Sequence, residues 1–266
     1  MKDITIHSQK DFEYMRKAGR LAAEVLDFIT GYVKPDVTTN ELNDLCHNFI
    51  VKSGAVPAPL GYKGYPKSIC TSKNFVVCHG IPDDIPLKDG DILNIDVTVI
   101  LDGWHGDTSR MFWIGEPSIK AKRLCDATYG ALMAAIEQVK PGINLNEIGL
   151  AIEKHINKYG YSIVRNYCGH GLGKVFHAPP SVLHYYDEDE RMVLSEGMFF
   201  TIEPMINAGK HDTILSKHDG WTVTTRDLSL SAQFEHSIGV TNNGVEIFTL
   251  SPKGLHYPPY SFVTFC

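Results

Sequence analysis

A ten-residue phrase that occurs twice constrains this 266-residue chain more than any other feature. Val33-Lys34-Pro35-Asp36-Val37-Thr38-Thr39-Asn40-Glu41-Leu42 returns 106 positions later as Val139-Lys140-Pro141-Gly142-Ile143-Asn144-Leu145-Asn146-Glu147-Ile148. The match continues through Ile50/Ile156, Lys52/Lys158 and Gly54/Gly160. Self-similarity of this length predicts two similar halves. Shorter echoes carry it toward chemistry. Gly90-x-x-x-x-Ile95-Asp96 returns as Gly197-x-x-x-x-Ile202-Glu203, His79-Gly80-Ile81 as His170-Gly171-Leu172, and Asp107-Thr108-Ser109 as Glu235-His236-Ser237. The shifts are unequal, as insertions between elements would make them, but both halves keep one order: a histidine, an acid on one strand, an acid on the next.

The first of these acid pairs lies in the stretch Asp91 to Trp113. Ile92 to Leu101 is rich in β-branched residues, and Asp102-Gly103 is a strong two-residue turn signal. A hairpin closed there places Asp107 opposite Thr98, with Asp96 as its diagonal neighbour on the same face. Diagonal neighbours lie about 7 to 8 Å apart, close enough for two carboxylates to converge on one cation. Leu93, Ile95, Val97 and Val99 form the opposite, core-facing side. Taken alone the hairpin suits a solvated acidic face as well as a metal site, and the rest of the chain has to decide.

Before that hairpin, Ser8 to Thr30 carries a helical stripe of Phe12, Met15, Gly19, Ala22, Leu26 and Ile29. Ser8-x-x-Asp11 forms a capping box at its start and Gly31 suits its C-terminal cap. Thr38-x-x-Glu41 opens a second helix with Leu42, Leu45, Phe49 and Ile50 inward. Val56 to Ser72, with its prolines and glycines, reads as a loop, and Phe75 to Cys78 as a short strand running into His79. Lys120 to Val139 reads as a third helix. With 43% hydrophobic residues the chain can bury a large core. A net charge of −6 gives no electrostatic case for nucleic acid or an anionic membrane. Six cysteines without a CxxC pair suggest reduced thiols. Neither a signal region nor a membrane span is evident, so a cytoplasmic protein is expected.

Two hairpins about a pseudo-two-fold would gather Asp96, Asp107, Glu203 and Glu235 at one point. Like charges that close cannot all ionise without counter-charge. Two divalent cations about 3.5 to 4 Å apart would supply it, with one or two imidazoles completing the site. Hard oxygen ligands without thiolate favour manganese, iron or cobalt over a structural zinc site.

Seven motifs in order then carry a resemblance: Tyr62-Lys63-Gly64-Tyr65-Pro66-Lys67-Ser68, Val77-Cys78-His79-Gly80-Ile81-Pro82, Asn94-Ile95-Asp96-Val97, Gly106-Asp107-Thr108, Gly169-His170-Gly171-Leu172-Gly173, Thr201-Ile202-Glu203-Pro204 and Ala232-Gln233-Phe234-Glu235-His236. From about Asp11 to Leu250 the chain resembles the type I methionine aminopeptidases of bacteria. The resemblance implies the α+β "pita-bread" fold, a single catalytic domain over 1–266 whose halves run about 11–115 and 116–250 around a dinuclear centre. It implies Asp96, Asp107, His170, Glu203 and Glu235 as metal ligands, Asp107 and Glu235 bridging. A hydroxide between the ions would attack the scissile carbonyl, with Glu203 carrying the proton to the leaving amine. His79 and His177 are similar to the family's two substrate-contacting histidines, although either alone would read as an interior histidine.

The same resemblance assigns Pro59, Tyr62, Tyr65, Cys70, Phe176 and Trp221 to an apolar pocket for the thioether side chain, where aromatic rings favour sulfur. Pro59 stands where many relatives have Cys, which alters the rim. Asn74, Val76 and Ser231 resemble a site for a monovalent cation, sodium or potassium. Cobalt, manganese or iron are the expected divalent ions, with zinc a further option. The 31 residues between Glu203 and Glu235 leave no room for the helical insertion of type II enzymes. The zinc-binding extension of eukaryotic type I enzymes and the extra N-terminal domain of prolidases are expected to be absent. Expected partners are nascent polypeptide N-termini bearing a small second residue, and the ribosome, with the chain itself a monomer. The alternative is a catalytically inactive pita-bread protein that binds protein or RNA. The apolar tail Tyr257 to Cys266 is expected to pack on the body.

Overall fold

The computed structural model describes residues 4–260. The Asp102-Gly103 turn takes positive φ at both central residues, 51° and 81°, the twist that suits a tight hairpin. It fixes the pairing of Ile92–Leu101 with Trp104–Trp113 over all ten positions, Asp107 opposite Thr98 and Asp96 opposite Ser109. The pairing follows the expected register throughout. Because side chains alternate, one face of Ile92–Leu101 holds Leu93, Ile95, Val97 and Val99, all fully buried, and the other holds Asn94, Asp96 and Thr98.

Helices α1 (Gln9–Ile29) and α2 (Thr39–Lys52) cover the apolar face through Val25, Leu26, Ile29, Leu42, Cys46 and Ile50. At the start of α1 the Ser8 amide and hydroxyl both donate to Asp11 Oδ2, at 2.8 Å each. The α2 box is reciprocal: Glu41 N–H donates to Thr38 Oγ1 at 3.1 Å and Thr38 N–H to Glu41 Oε2 at 2.7 Å. Gly31 does not cap α1; the chain tightens into a 3₁₀ turn over Thr30–Tyr32, and Thr30 Oγ1 donates back to the Leu26 carbonyl. The 56–72 stretch is also less irregular than expected. Val56–Pro57 and Cys70–Lys73 pair with successive parts of Ile92–Leu101, Cys70 falling opposite Asp96. Strands of two and four residues that draw their order from a neighbour leave little periodicity to read.

The second half repeats the plan. Helices α3 (Ile119–Ile136) and α4 (Asn146–Ile156) bury Leu124, Leu132, Ile148 and Ile152 against Phe200, Ile202 and Ile238 of a five-stranded antiparallel sheet. Its strand order is Val245–Ile247, His236–Val240, Phe199–Ile202, Gly169–Gly171, Ala178–Val182. Here the two acid-bearing strands are not a tight hairpin. The chain between them forms the strands Met205–Asn207, Thr213–Leu215, Val223–Thr225 and Ser231–Gln233, which belong to two small three-stranded sheets.

The halves meet along polar edges. Glu235 N–H donates to the Ser109 carbonyl (3.1 Å), Thr108 Oγ1 to the Glu235 carbonyl (2.7 Å), and Ser237 Oγ to the Asp107 carbonyl (2.6 Å). Asn94 Nδ2 reaches the Gln233 carbonyl at 2.8 Å. Of the tail, Tyr257 bonds Asp126, and Tyr260 donates to the Met111 carbonyl at 2.7 Å. Residues 261–266, with Cys266, lie outside the described part. The five described cysteines are free thiols. No described helix is long and apolar enough to cross a membrane.

Candidate metal centre

The acid-bearing strands converge on a cavity of about 360 Å³ between the halves. Asp107, His170 and Glu235 each offer a ligand atom within 4.8 Å of the others. Glu203 adjoins this triad, its Oε1 3.7 Å from His170 Nε2, while Asp107 Oδ2 lies 3.6 Å from the same nitrogen. Asp96 lines the same cavity, and its buried Oδ1 has no hydrogen-bond partner among the described residues. Asp96 and Glu203 therefore flank the triad rather than belong to it.

Each ligand candidate is held by its neighbours. Thr98 Oγ1 donates to Asp107 Oδ1 at 2.7 Å, leaving Oδ2 to face His170. Thr201 Oγ1 donates to Glu203 Oε1 at 2.8 Å, and Gln233 Nε2 to Oε2 at 3.2 Å. His170 Nδ1 donates to the Gly171 carbonyl at 3.1 Å, so the unprotonated Nε2 faces the carboxylates. Burial holds the His170 ring neutral, its pKa lowered to about 4. Glu203 N–H donates to Nε2 of the fully buried His184 at 3.1 Å, so the His184 proton sits on Nδ1.

Asp96, Asp107, Glu203 and Glu235 are all pushed above the ordinary carboxylate range. Burial is the largest cause for each, and repulsion from Asp107 adds to it for the other three. Four acids so crowded must either hold protons or share a cation. The set fits divalent ions: hard oxygens, one neutral imidazole with a free lone pair, and an orphaned carboxylate oxygen that none of the described residues satisfies.

Pro59, Tyr62, Tyr65, Cys70, Phe176 and Trp221 line the cavity together with His79 and His177. Tyr65 Oη, buried, lies 3.1 Å from the Ile69 carbonyl and 3.0 Å from that of Gly80, and its ring meets Trp221 edge-on at 5.2 Å. His79 has φ of 55°, a left-handed conformation rare outside glycine, and its ring stands against Tyr167 and Trp221. The His177 ring lies 4.2 Å from that of His170 and 5.2 Å from that of Tyr62. Both histidines are held neutral by burial, His177 near about 3 with His170 contributing. Away from the cavity, Ser231 N–H donates to the Asn74 carbonyl at 2.8 Å, and Val76 begins the strand after Asn74.

The same walls include Lys63, Cys78, Thr98, Asn166, Tyr167, Cys168, Met205 and Gln233. Of these Thr98 left a signal, standing opposite Asp107 in the hairpin, and Gln233 another, two residues before Glu235; Lys63 and Cys78 fall inside the motifs that carry the resemblance, and the rest have no local signal. His184, behind the wall, left none either.

A family model for metallopeptidase family M24 matches residues 13–242. The chain belongs to metallopeptidase family M24. It is 68% identical over 257 residues to a methionine aminopeptidase of Rickettsia prowazekii, covering 97% of this chain and 99% of that protein. To a methionine aminopeptidase of Escherichia coli K12 it is 60% identical over 249 residues, 93% and 94% of the two chains. A crystal structure of the Rickettsia prowazekii methionine aminopeptidase superposes with a TM-score of 0.92 at 67% identity, over 93% of this chain and 100% of that one. The mixed helices and antiparallel sheets are the pita-bread fold of M24.

Proposed function

We propose that this M24 metallopeptidase is a methionine aminopeptidase, which removes the N-terminal methionine from nascent chains. The observation that carries the reading is the convergence of carboxylates from both halves on one cavity beside two neutral histidines. In this reading Asp96, Asp107, His170, Glu203 and Glu235 would hold two divalent ions. Bound there, the ions supply Lewis acidity, polarising the scissile carbonyl and acidifying a water.

The chain's residues do the rest. Glu203, steadied by Thr201 and Gln233, accepts the water's proton and passes it to the leaving amine. His79 and His177 contact the substrate backbone and steady the oxygen that gains charge during attack. Pro59, Tyr62, Tyr65, Cys70, Phe176 and Trp221 enclose the thioether side chain, and crowding at the cleft restricts the second residue to small ones. Cobalt, manganese or iron fit the oxygen-rich set, zinc less specifically. A sodium or potassium ion is assigned to the carbonyls around Asn74, Val76 and Ser231. The whole chain acts as one catalytic domain, a cytoplasmic monomer that meets its substrates at the ribosome.

The test is cleavage of a Met-Ala-Ser peptide with added Mn(II) or Co(II), comparing the intact protein with Glu203→Ala. Loss of a general acid-base predicts a fall of about 10²- to 10⁴-fold. Unchanged turnover would refute the role of Glu203. An intact protein silent with every divalent ion would favour the inactive binding module instead.

A further inference from the structure

His105 stands two residues before Asp107 on the same face of Trp104–Trp113, and neither the ligand set nor the substrate pocket makes use of it. It is 7% exposed and grips one atom of the other half twice: its amide N–H donates to the Gly173 carbonyl at 2.8 Å and its ring Nδ1 to the same oxygen at 2.9 Å. A carbonyl only accepts, so Nδ1 carries the proton. The ring also stacks on Phe176, centroids 5.4 Å apart and planes 17° from parallel. Phe176 in turn packs on His177 at 4.1 Å.

The segment so gripped is the one that brings His177 to the cavity. Gly171 pairs with Ala178, and the six residues between them leave the sheet. Leu172 N–H, 3.3 Å from the Phe199 carbonyl, ties the start of the excursion back to its own half, and the His170 ring packs against its far end, 4.2 Å from His177. Gly173 follows with φ of 154°, and a Cβ there would stand 2.9 Å from the His7 ring and 3.5 Å from Trp104. The carbonyl at which the excursion turns is therefore fixed from the side of Asp107.

We infer that His105 is a positioning residue for the Gly173–His177 segment: through the Gly173 carbonyl and the Phe176 ring it sets where His177 stands relative to the carboxylates. One strand thus carries both an ion-facing acid and the anchor of a substrate-facing histidine. Any shift of Trp104–Trp113 moves the two together. The inference rests on the proposed aminopeptidase reading for its consequence in turnover, and on the fold alone for its consequence in loop order.

Three variants separate ring, donor and bulk. His105→Leu removes the ring donor and the stack, His105→Phe keeps the stack without the ring donor, and His105→Asn puts an amide donor where Nδ1 stood, the main-chain N–H of residue 105 being kept in all three. In the metal-free proteins, hydrogen exchange of the 173–177 amides rises about tenfold in His105→Leu and His105→Phe, while α1 to α4 keep their protection. With Mn(II), kcat/KM for Met-Ala-Ser falls about 10- to 100-fold in the same two, as displacing a positioned group by about 1 Å does. Mn(II) affinity by calorimetry stays within about threefold, and His105→Asn recovers most of the loss. Faster exchange throughout the chain, Mn(II) affinity falling in step with turnover, full activity in His105→Phe, or failure of His105→Asn to rescue would each overturn the inference. If the unaltered protein cleaves no Met peptide, the aminopeptidase reading fails, and the exchange pattern still decides whether His105 holds the segment.

Discussion

Removing the cation of the buried Arg110–Asp27 pair tests how the ligand strand is held. Arg110 and Asp27 are 1% and 2% exposed, and Arg110 Nη1 lies 2.6 Å from Asp27 Oδ1, tying Trp104–Trp113 to α1. Arg110→Met leaves the Asp27 carboxylate buried with the Ser251 hydroxyl at 2.8 and 2.9 Å and the Lys253 amide at 3.3 Å. Breaking a buried pair from one side costs about 3 to 5 kcal/mol. The remaining donors place this case near the lower end, about 3 kcal/mol. For a chain of this size that lowers Tm by roughly 10 °C. Arg110→Met/Asp27→Leu removes the stranded charge as well and recovers at least half of the loss, since apolar replacement of both partners is often neutral. Urea denaturation of the metal-free proteins measures all three. A single-variant loss below about 1 kcal/mol, or a double variant no better than the single, would refute the assignment of this pair as the tie.

Gly106→Ala places a Cβ 2.2 Å from the Ala18 carbonyl oxygen, backbone against backbone, so α1 or the Asp107 strand must move. A loss of about 1 to 3 kcal/mol by thermal melting and weaker Mn(II) binding by calorimetry are expected. The four crowded carboxylates make metal stabilisation depend on pH. Their folded-state pKa values are raised, so the metal-free fold holds protons that the unfolded chain releases near pH 4, and their contribution to its stability is lost as pH rises through the raised values. The buried histidines, lowered in the fold, act oppositely up to about pH 6.5. The difference in urea midpoint between Mn(II)-loaded and metal-free protein therefore widens from pH 5 to 8, with proton release on Mn(II) binding seen by calorimetry in two buffers. Thr98→Val removes the donor to Asp107 Oδ1, and a 10- to 100-fold loss of Mn(II) affinity is expected by competition with a fluorescent chelator.

The first hairpin was legible because its determinants are local: a two-residue turn sets the register, and the register sets which face each acid takes. The repeat then carried Asp96 to Glu203 and Asp107 to Glu235 across the chain. What stayed hidden depends on distant partners. Cys70–Lys73 is a strand because Asn94 and Asp96 lie beside it. Gly31 gave way to a 3₁₀ turn that Thr30 stabilises by bonding back to Leu26. His184 and His105 meet the main chain of Glu203 and Gly173, 19 and 68 residues away, through hydrogen bonds that no spacing rule reaches.

Anomalous scattering from crystals grown with Mn(II) tests the central claim most directly. The account predicts peaks in the cavity, with Asp107, His170 and Glu235 in the coordination shell of one ion and Asp96 Oδ1 turned to another. Crystals of active protein whose peaks lie away from these side chains would contradict it.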